Sequence, residues 1–380
     1  MAMATSTMTR AGLVLDVRRG ALLQLSTGDT LALHPLWLRE RSRAAAVFDA
    51  QAAQRLYDAS DLDPDLAVSE IAETRPGSYR VRFSDGHEWV YPLEELLAEA
   101  AIAPGEDATP PLRLWENAAQ APAEPVRWRE DPSAAELCAW LERFLTLGFI
   151  VFTGLPTTAD TVLRAAARFG FTRRTNFGEL FDVRSTPDAI DLAYTALPLD
   201  PHTDNPYRAP VPGIQLLHCL VNETSGGLST LVDGFAAAER LRRDDPEAFE
   251  VLARTPVQFR YRDARTALTA SAPIIELDLT GAPLAVRFSP RLDYVPLRPV
   301  AELARFYRAR RAFDRLLRSP DRELRFLLGP GDLMMMDNQR VLHGRTGFDP
   351  GEGARHLQGC YIDRDTPRSL YRVLRREARA

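Results

Sequence analysis

Cysteine is scarce. The three present in 380 residues, Cys138, Cys219 and Cys360, lie far apart, and two of them sit inside apolar runs. That excludes a disulfide framework and fits buried thiols in a reducing compartment. No uninterrupted apolar run approaches the roughly 18 residues of a membrane span. Met1 to Arg10 lacks the apolar stretch of a signal peptide, so a cytoplasmic protein is expected. An excess of positive charge is also missing: the formal net charge is -5, which gives no sign of nucleic-acid binding. One basic cluster, Arg305, Arg308, Arg310 and Arg311, is interleaved with Phe306, Tyr307 and Phe313 at helical spacing and reads as a solvated helix face. Neither a nucleic acid nor a membrane is expected as a partner.

What is present describes a globular enzyme. Hydrophobic residues make up 45% and charged residues 26%, enough apolar material for a large core. The length suggests two domains, or one with a substantial appendage. Residues 11–102 read as a small β-rich unit, with short alternating strands at Leu13–Val17, Ala21–Leu25, Tyr79–Phe83 and Glu88–Tyr91 and a closing helix across Pro92–Ala101. Residues 103–125 are rich in Pro and Ala and read as a linker. From 126 to 380, an amphipathic helix over Ser133–Leu147, with Ser133 and Glu136 forming a capping box, leads into a buried strand at Gly148–Phe152. A second helix is expected at Ala159–Phe169. Strands then dominate, among them Ile190–Tyr194, Ile214–Val221, Ser229–Asp233, Asp332–Asp337 and Arg355–Ile362, with helices at Phe235–Arg243 and Val300–Leu317. The fold class expected is mainly β with decorating helices, a jelly-roll sandwich.

The most informative stretch is Pro201-His202-Thr203-Asp204-Asn205-Pro206-Tyr207, taken together with His343-Gly344-Arg345. Two imidazoles and one carboxylate are the ligand set of a non-haem Fe(II) facial triad. In an extended segment, side chains two apart share a face, so His202 and Asp204 converge on one ion. The flanking prolines argue against a helix there. A structural metal or a hydrogen-bonded polar core are the alternatives. His218, inside the apolar Leu216–Leu220, reads as a satisfied core histidine and is left out of the metal site.

The run HTDNPYRAPVPGIQLLHCLV at His202–Val221, followed by Gly226-Gly227, Val232-Asp233-Gly234, Asp337–Arg345 and Arg355–Tyr361, resembles the γ-butyrobetaine hydroxylase-like branch of the taurine dioxygenase (TauD/TfdA) superfamily. The resemblance implies a double-stranded β-helix oxygenase preceded by a small N-terminal domain, using Fe(II) and the co-substrate 2-oxoglutarate with O2. It assigns the metal to His202, Asp204 and His343. It places the far carboxylate of 2-oxoglutarate on Arg355, with Arg345 as rival, and on the Ser229-Thr230 pair; a guanidinium suits that carboxylate because it binds in a forked, bidentate way.

The same resemblance implies an aromatic cage for a trimethylammonium head at Phe177, Phe181, Tyr194 and Tyr361. Ring faces attract a cation that cannot donate ordinary hydrogen bonds. The alternative is that these rings are simply core. At the anionic end the corresponding positions are Asp191 and Arg291. An Arg suits a phosphonate as well as a carboxylate, whereas Asp191 would repel an anion unless it pairs with Arg291. The cysteines that bind a structural zinc in many members are replaced here by Leu38–Arg43, and of that ligand set only His87 remains, so no structural zinc is expected and His34 and His87 read as surface or packing residues.

The function expected is 2-oxoglutarate-dependent hydroxylation of a small quaternary-ammonium zwitterion, γ-butyrobetaine or (2-trimethylaminoethyl)phosphonate, by a homodimer. The alternatives are a hydroxylase of a free amino acid or other small cation, and, in another class, a non-catalytic binding module on an oxygenase fold.

Overall fold

Along Ile214–Asn222 the two-residue period of a strand sorts side chains to opposite faces. Ile214 and Leu216 join one cluster with helix residues Trp140, Leu141 and Phe144. Leu217 and Cys219 join another with Leu231 and Val341. This strand is thus buried on both sides, between a layer of helices and a second sheet. The computed structural model in which this is seen describes residues 11–16, 20–100, 109–184 and 195–378. The chain divides into two units, Met1–Ala108 and Thr109–Ala380.

The core strands of the second unit are β1 (Val126–Arg127), β2 (Phe149–Thr153), β3 (Phe181–Arg184), β4 (Leu199–His202), β5 (Ile214–Asn222), β6 (Ser229–Asp233), β7 (Leu324–Phe326), β8 (Leu333–Asp337), β9 (Val341–Arg345) and β10 (Arg355–Ile362). Six of them form one sheet in the order β3-β10-β5-β8-β2-β1, and four form the other in the order β4-β9-β6-β7. All pairings are antiparallel except that of β1 with β2. The facing surfaces pack through Phe149, Val151, Leu217, Met334 and Met336 from one sheet and Leu231, Leu324 and Val341 from the other. That is the jelly-roll core expected from the sequence.

Helices cover the outside of the larger sheet. Ala134–Leu147 begins on the reciprocal Ser133–Glu136 capping box and ends at Gly148, whose φ of 83 is one that glycine adopts without a Cβ penalty. Val300–Leu317 lies on the side of the smaller sheet instead, burying Phe306, Ala309, Phe313 and Leu317 in one cluster with Val232 and Leu342. Of its basic cluster, Arg305, Arg308 and Arg311 are exposed as expected. Arg310 departs from that reading: it bonds Asp293 at 2.8 Å.

Three expectations need correction. The helix expected at Ala159–Phe169 covers only Thr161–Ala166, because Asp160 takes a left-handed φ of 64 and gives its N–H to Oε1 of Gln358 at 2.9 Å. The stretch read as a linker over 103–125 is ordered core structure at Trp115 and Ala121, which are 1% and 0% exposed. The Trp115 indole donates to the Leu147 carbonyl at 2.9 Å, an aromatic anchor hidden by the Pro- and Ala-rich composition around it. Third, His218 is core but not satisfied: it is fully buried and neither ring nitrogen has a hydrogen-bond partner. The strand expected at Ile190–Tyr194 lies outside the described residues.

The first unit holds two three-stranded antiparallel sheets, Gly12–Asp16 with Gly20–Gln24 and Thr30–Leu33, and Val68–Arg75 with Ser78–Phe83 and Glu88–Pro92. Leu23, Leu38, Val81 and Phe83 form its core. His34 caps the helix Pro35–Arg39, and His87 Nε2 lies 2.9 Å from the Ser42 hydroxyl.

Candidate active site

β4 and β9 pair so that His202 and His343 stand opposite each other, with ring centroids 4.5 Å apart. The strand stops at His202, and Asp204 follows in a bend rather than in the extended segment expected. What brings it round is Asn338, whose side chain is fully buried. Its Oδ1 accepts the Asp204 N–H at 2.7 Å, while its Nδ2 donates to the carbonyls of Asp204 and Pro212 at 3.0 Å each. One amide thus holds both polar backbone groups of the turn. Asp204 Oδ1 then lies 3.5 Å from His202 Nε2, and Oδ2 lies 3.9 Å from His343 Nε2. One ligand atom from each of the three lies within 4.8 Å of the others, the one such group among the described residues.

The second layer fixes which atoms face the centre. Asp204 Oδ2 accepts hydrogen bonds from Gln215 Nε2 at 2.8 Å and from the Tyr361 hydroxyl at 2.7 Å. Nδ1 of His202 sits 2.9 Å from the Asp200 carbonyl, which takes the N–H of that nitrogen and leaves the Nε2 lone pair for a metal. Burial alone would raise the Asp204 carboxyl, but His343, His202 and Tyr361 outweigh it and hold it well below the usual range. Burial pushes His343 down to about 4, helped by His202 and Arg291, so it is a neutral ligand near pH 7. Burial, then Asp204, pushes the Tyr361 phenol far up, so it stays a donor. Two imidazole nitrogens and one ionised carboxylate fit Fe(II).

A cavity opens from this group. Its aromatic wall is Phe177, Phe181, Tyr207 and Tyr361, with Phe181 stacked on Tyr361 at 5.2 Å and Tyr207 stacked on Tyr261 at 4.8 Å. Ser229, Ser289 and three arginines, Arg291, Arg345 and Arg355, also line it. Arg355 is buried, gives one N–H to the Gly227 carbonyl at 3.3 Å, and leaves Nε without a partner. Arg345 bonds the carbonyls of Thr195 and Leu197. Phe348 lies beneath both guanidinium groups, at 5.3 and 5.5 Å.

Of the residues expected at the site, His202, Asp204, His343, Arg355, Ser229, Phe177, Phe181, Arg291 and Tyr361 line this one cavity. Thr230 does not: it follows Ser229 on one strand, so its hydroxyl turns to the other face, where it is buried without a partner. Asp191 and Tyr194 lie outside the described residues. Sequence reading missed Asn205, Tyr207, Gln215 and Ser289, all of which line the cavity. For Gln215 a signal existed, an amide on the same strand face as the buried Leu217 and Cys219.

Comparison with known proteins agrees with this geometry. Residues 116–361 match the family "Taurine catabolism dioxygenase TauD, TfdA family", and residues 18–97 match "Gamma-butyrobetaine hydroxylase-like, N-terminal". The chain is 36% identical to gamma-butyrobetaine dioxygenase of Pseudomonas sp. (strain AK-1) over 94% of each chain. It is 31% identical to mitochondrial trimethyllysine dioxygenase of Gallus gallus, over 93% of this chain and 86% of that one. In fold it is similar to asparagine oxygenase solved with Fe(II), hydroxyasparagine and succinate, at 18% identity and a TM-score of 0.50 over 61% of this chain and 79% of that one.

A jelly roll carrying two imidazoles and a carboxylate at the head of a cavity defines a non-haem iron dioxygenase, with Fe(II) and 2-oxoglutarate as its cofactor and co-substrate. The chain belongs to the TauD/TfdA family, with the N-terminal unit of its γ-butyrobetaine hydroxylase-like branch. A binding module without catalysis is therefore set aside.

Proposed function

We propose that this dioxygenase hydroxylates a small zwitterion bearing a trimethylammonium group, with γ-butyrobetaine as its substrate. The observation that carries this reading is the character of the cavity wall. Four aromatic rings face it, and among the described lining residues the one carboxylate is Asp204, which is committed to the metal and to two hydrogen bonds. A cation there meets ring faces and not acceptor oxygens. Such a wall suits a quaternary ammonium and serves a primary ammonium poorly. The relatives named for γ-butyrobetaine and for trimethyllysine share this headgroup.

In this reading His202, Asp204 and His343 hold Fe(II). Arg355 and Ser229 take the far carboxylate of 2-oxoglutarate. The partly unpaired guanidinium of Arg355 favours it over Arg345, whose N–H groups already meet backbone carbonyls. Bound Fe(II), 2-oxoglutarate and O2 supply the oxidising power that hydroxylates a C–H bond as 2-oxoglutarate becomes succinate and CO2. The protein's share is position: Phe177, Phe181 and Tyr361 hold the cationic head, and the walls keep one substrate carbon close to the metal. Tyr194 belongs to the same cage in this reading, and Asp191 stands at the anionic end. The reading includes a cytoplasmic homodimer; among the described residues no helix is long and apolar enough to cross a membrane.

The test is succinate formation by anaerobically reconstituted Fe(II) protein given 2-oxoglutarate and O2. The panel holds γ-butyrobetaine, (2-trimethylaminoethyl)phosphonate, trimethyllysine and free amino acids, with His343→Ala as control. Succinate that rises with γ-butyrobetaine, alongside a product one oxygen heavier, supports the proposal. A response only to the phosphonate or to an amino acid overturns the substrate named here.

A further inference from the structure

The four rings of the cavity wall are not held alike. Phe181 and Tyr361 stand on β3 and β10 of the larger sheet and stack on each other, and Tyr361 is anchored on Asp204. Phe177 and Tyr207 each stand in a turn between strands. We infer that Tyr261 is the positioning residue that holds Phe177 in place against Tyr207, and so sets how the wall receives the substrate's cationic head. This deepens the proposed function and rests on it.

The strand Val257–Arg262 brings Tyr261 there. It pairs with Ala267–Ala272, and Val257, Phe259 and Tyr261 share one of its faces. Val257 and Phe259 are fully buried in one cluster with Tyr207 and Phe288. Tyr261 extends this row beyond the core and is half-buried. Its ring stacks on Tyr207, with centroids 4.8 Å and planes 25° apart, and meets Phe177 edge-on at 5.7 Å and 70°. Offset stacks and edge-to-face contacts are the favoured arrangements of ring quadrupoles. The Tyr261 hydroxyl donates to Oδ2 of Asp263 at 2.9 Å. Tyr261 is not among the described residues that line the cavity.

The two turns differ in how firmly they are fixed. The Thr203 N–H donates to the Phe288 carbonyl at 2.8 Å, and the Phe288 N–H donates to Thr203 Oγ1 at 2.9 Å. This mutual clamp ties the segment holding Asp204 and Tyr207 to the segment holding Ser289, and Tyr207 itself is buried. Phe177 stands at the tip of a tight turn, closed by the Thr175 N–H on the Gly178 carbonyl at 2.8 Å and by the Gly178 N–H on the Thr175 carbonyl at 3.1 Å. Those bonds are internal to the turn, and they fix its shape rather than its place. Arg208 ties the neighbouring Asn176 to the turn of Tyr207. Tyr261 ties the rings themselves, and passes the fixed position of Tyr207 on to Phe177.

A ring attracts a cation at its face and not at its edge, because its quadrupole is negative on the face and positive at the rim. That gain depends on the direction in which the ring is turned, whereas apolar burial is non-directional. A side chain that sets ring direction therefore sets how well the cavity tells a trimethylammonium from a neutral group of the same shape. Tyr261 does so from behind the wall.

The experiment is calorimetric binding to the Mn(II)- and 2-oxoglutarate-loaded protein, with γ-butyrobetaine and its uncharged analogue 5,5-dimethylhexanoate, in which carbon replaces the nitrogen. Affinity for 2-oxoglutarate is measured separately on the Mn(II) protein. Wild type should prefer γ-butyrobetaine to the analogue by at least about tenfold. Tyr261→Leu should weaken γ-butyrobetaine about tenfold and the analogue less than about threefold, with 2-oxoglutarate affinity within about twofold of wild type. Tyr261→Phe keeps the ring and should bind both ligands within about threefold of wild type. A Tyr261→Leu protein that binds γ-butyrobetaine as wild type does overturns the inference. So does an equal loss of γ-butyrobetaine, its analogue and 2-oxoglutarate, which would mark a residue that serves the fold alone. Tyr261→Phe as weak as Tyr261→Leu would put the effect in the hydroxyl bond to Asp263, and overturns the role of the ring. Wild type that shows no preference for the cation overturns the cage and substrate reading, and this inference with it.

Discussion

The hydroxyl of Tyr361 donates a 2.7 Å hydrogen bond to Oδ2 of Asp204 while its ring stacks on Phe181 and faces the cavity. One side chain therefore touches both the carboxylate ligand and the space where a substrate cation would lie. Gln215 holds the same oxygen at 2.8 Å, so Oδ1 is the oxygen left toward His202.

Tyr361→Phe keeps the ring and removes the donor. Outer partners of metal ligands are worth about 10- to 100-fold in metal affinity or activity. The variant should weaken binding of Co(II) or Fe(II) to the metal-free protein by that order, with its circular dichroism unchanged. Unaltered metal affinity would show that Gln215 orients the carboxylate unaided.

Arg355→Ala should raise the KM for 2-oxoglutarate at least about 100-fold, since it removes a charge-assisted and forked contact in a desolvated place. Arg355→Lys should fall between the two, because an ammonium supplies the charge without the fork. Steady-state kinetics in 2-oxoglutarate with γ-butyrobetaine saturating would check this. An equal loss in Arg345→Ala, with Arg355→Ala unimpaired, would reassign the anchor.

How much of this was legible in the sequence depends on how local the signal is. Ser133 and Glu136 mark a helix start within four residues, and the mostly apolar, non-alternating run Ile214–Val221 is what a strand buried on both faces shows. His202, Asp204 and His343 were found because their chemistry is rare in combination. Asn338, which bends the chain so that Asp204 arrives, was not singled out: its role depends on Pro212 and Asp204, more than a hundred residues away. Ser289 reaches the cavity through the Thr203–Phe288 clamp, which is equally non-local. Trp115 failed for another reason, because one aromatic anchor cannot change the composition of a Pro- and Ala-rich stretch.

His218 should make stability depend on pH. Burial pushes it down to about 4 from an ordinary 6.5, Arg164 adding to the effect and Asp332 opposing it. As pH falls below 6.5 the unfolded chain takes up a proton there, and the folded chain does not until about 4. Stability is thus fully present above 6.5 and declines through that window, with a slope of up to about 1.4 kcal/mol per pH unit for one such histidine. His343 is shifted in the same direction and adds a second share. Urea denaturation of the metal-free protein between pH 4.5 and 7 should show a shallower decline in His218→Leu than in wild type. Parallel pH profiles would mean that His218 is not held neutral.

Arg340 and Asp233 form an ion pair at 2.8 Å with side chains 1% and 0% exposed. Asp233 also caps the helix Gly234–Asp244 and accepts the Trp115 N–H, while Arg340 donates to the carbonyls of Thr146 and Arg113. The pair ties the segment around Trp115 to the end of β6 and the start of β9, the strand that carries His343. Arg340→Met leaves a desolvated carboxylate without its counter-charge and two carbonyls without a donor. The cost should be about 3–5 kcal/mol, read from the urea midpoint at constant slope. Replacing both members, Asp233→Asn with Arg340→Met, should lose less than the single variant, because no buried charge remains uncompensated. A double variant weaker than the single one would show that the cap and the N–H acceptor of Asp233, rather than its charge, hold this corner of the sandwich together.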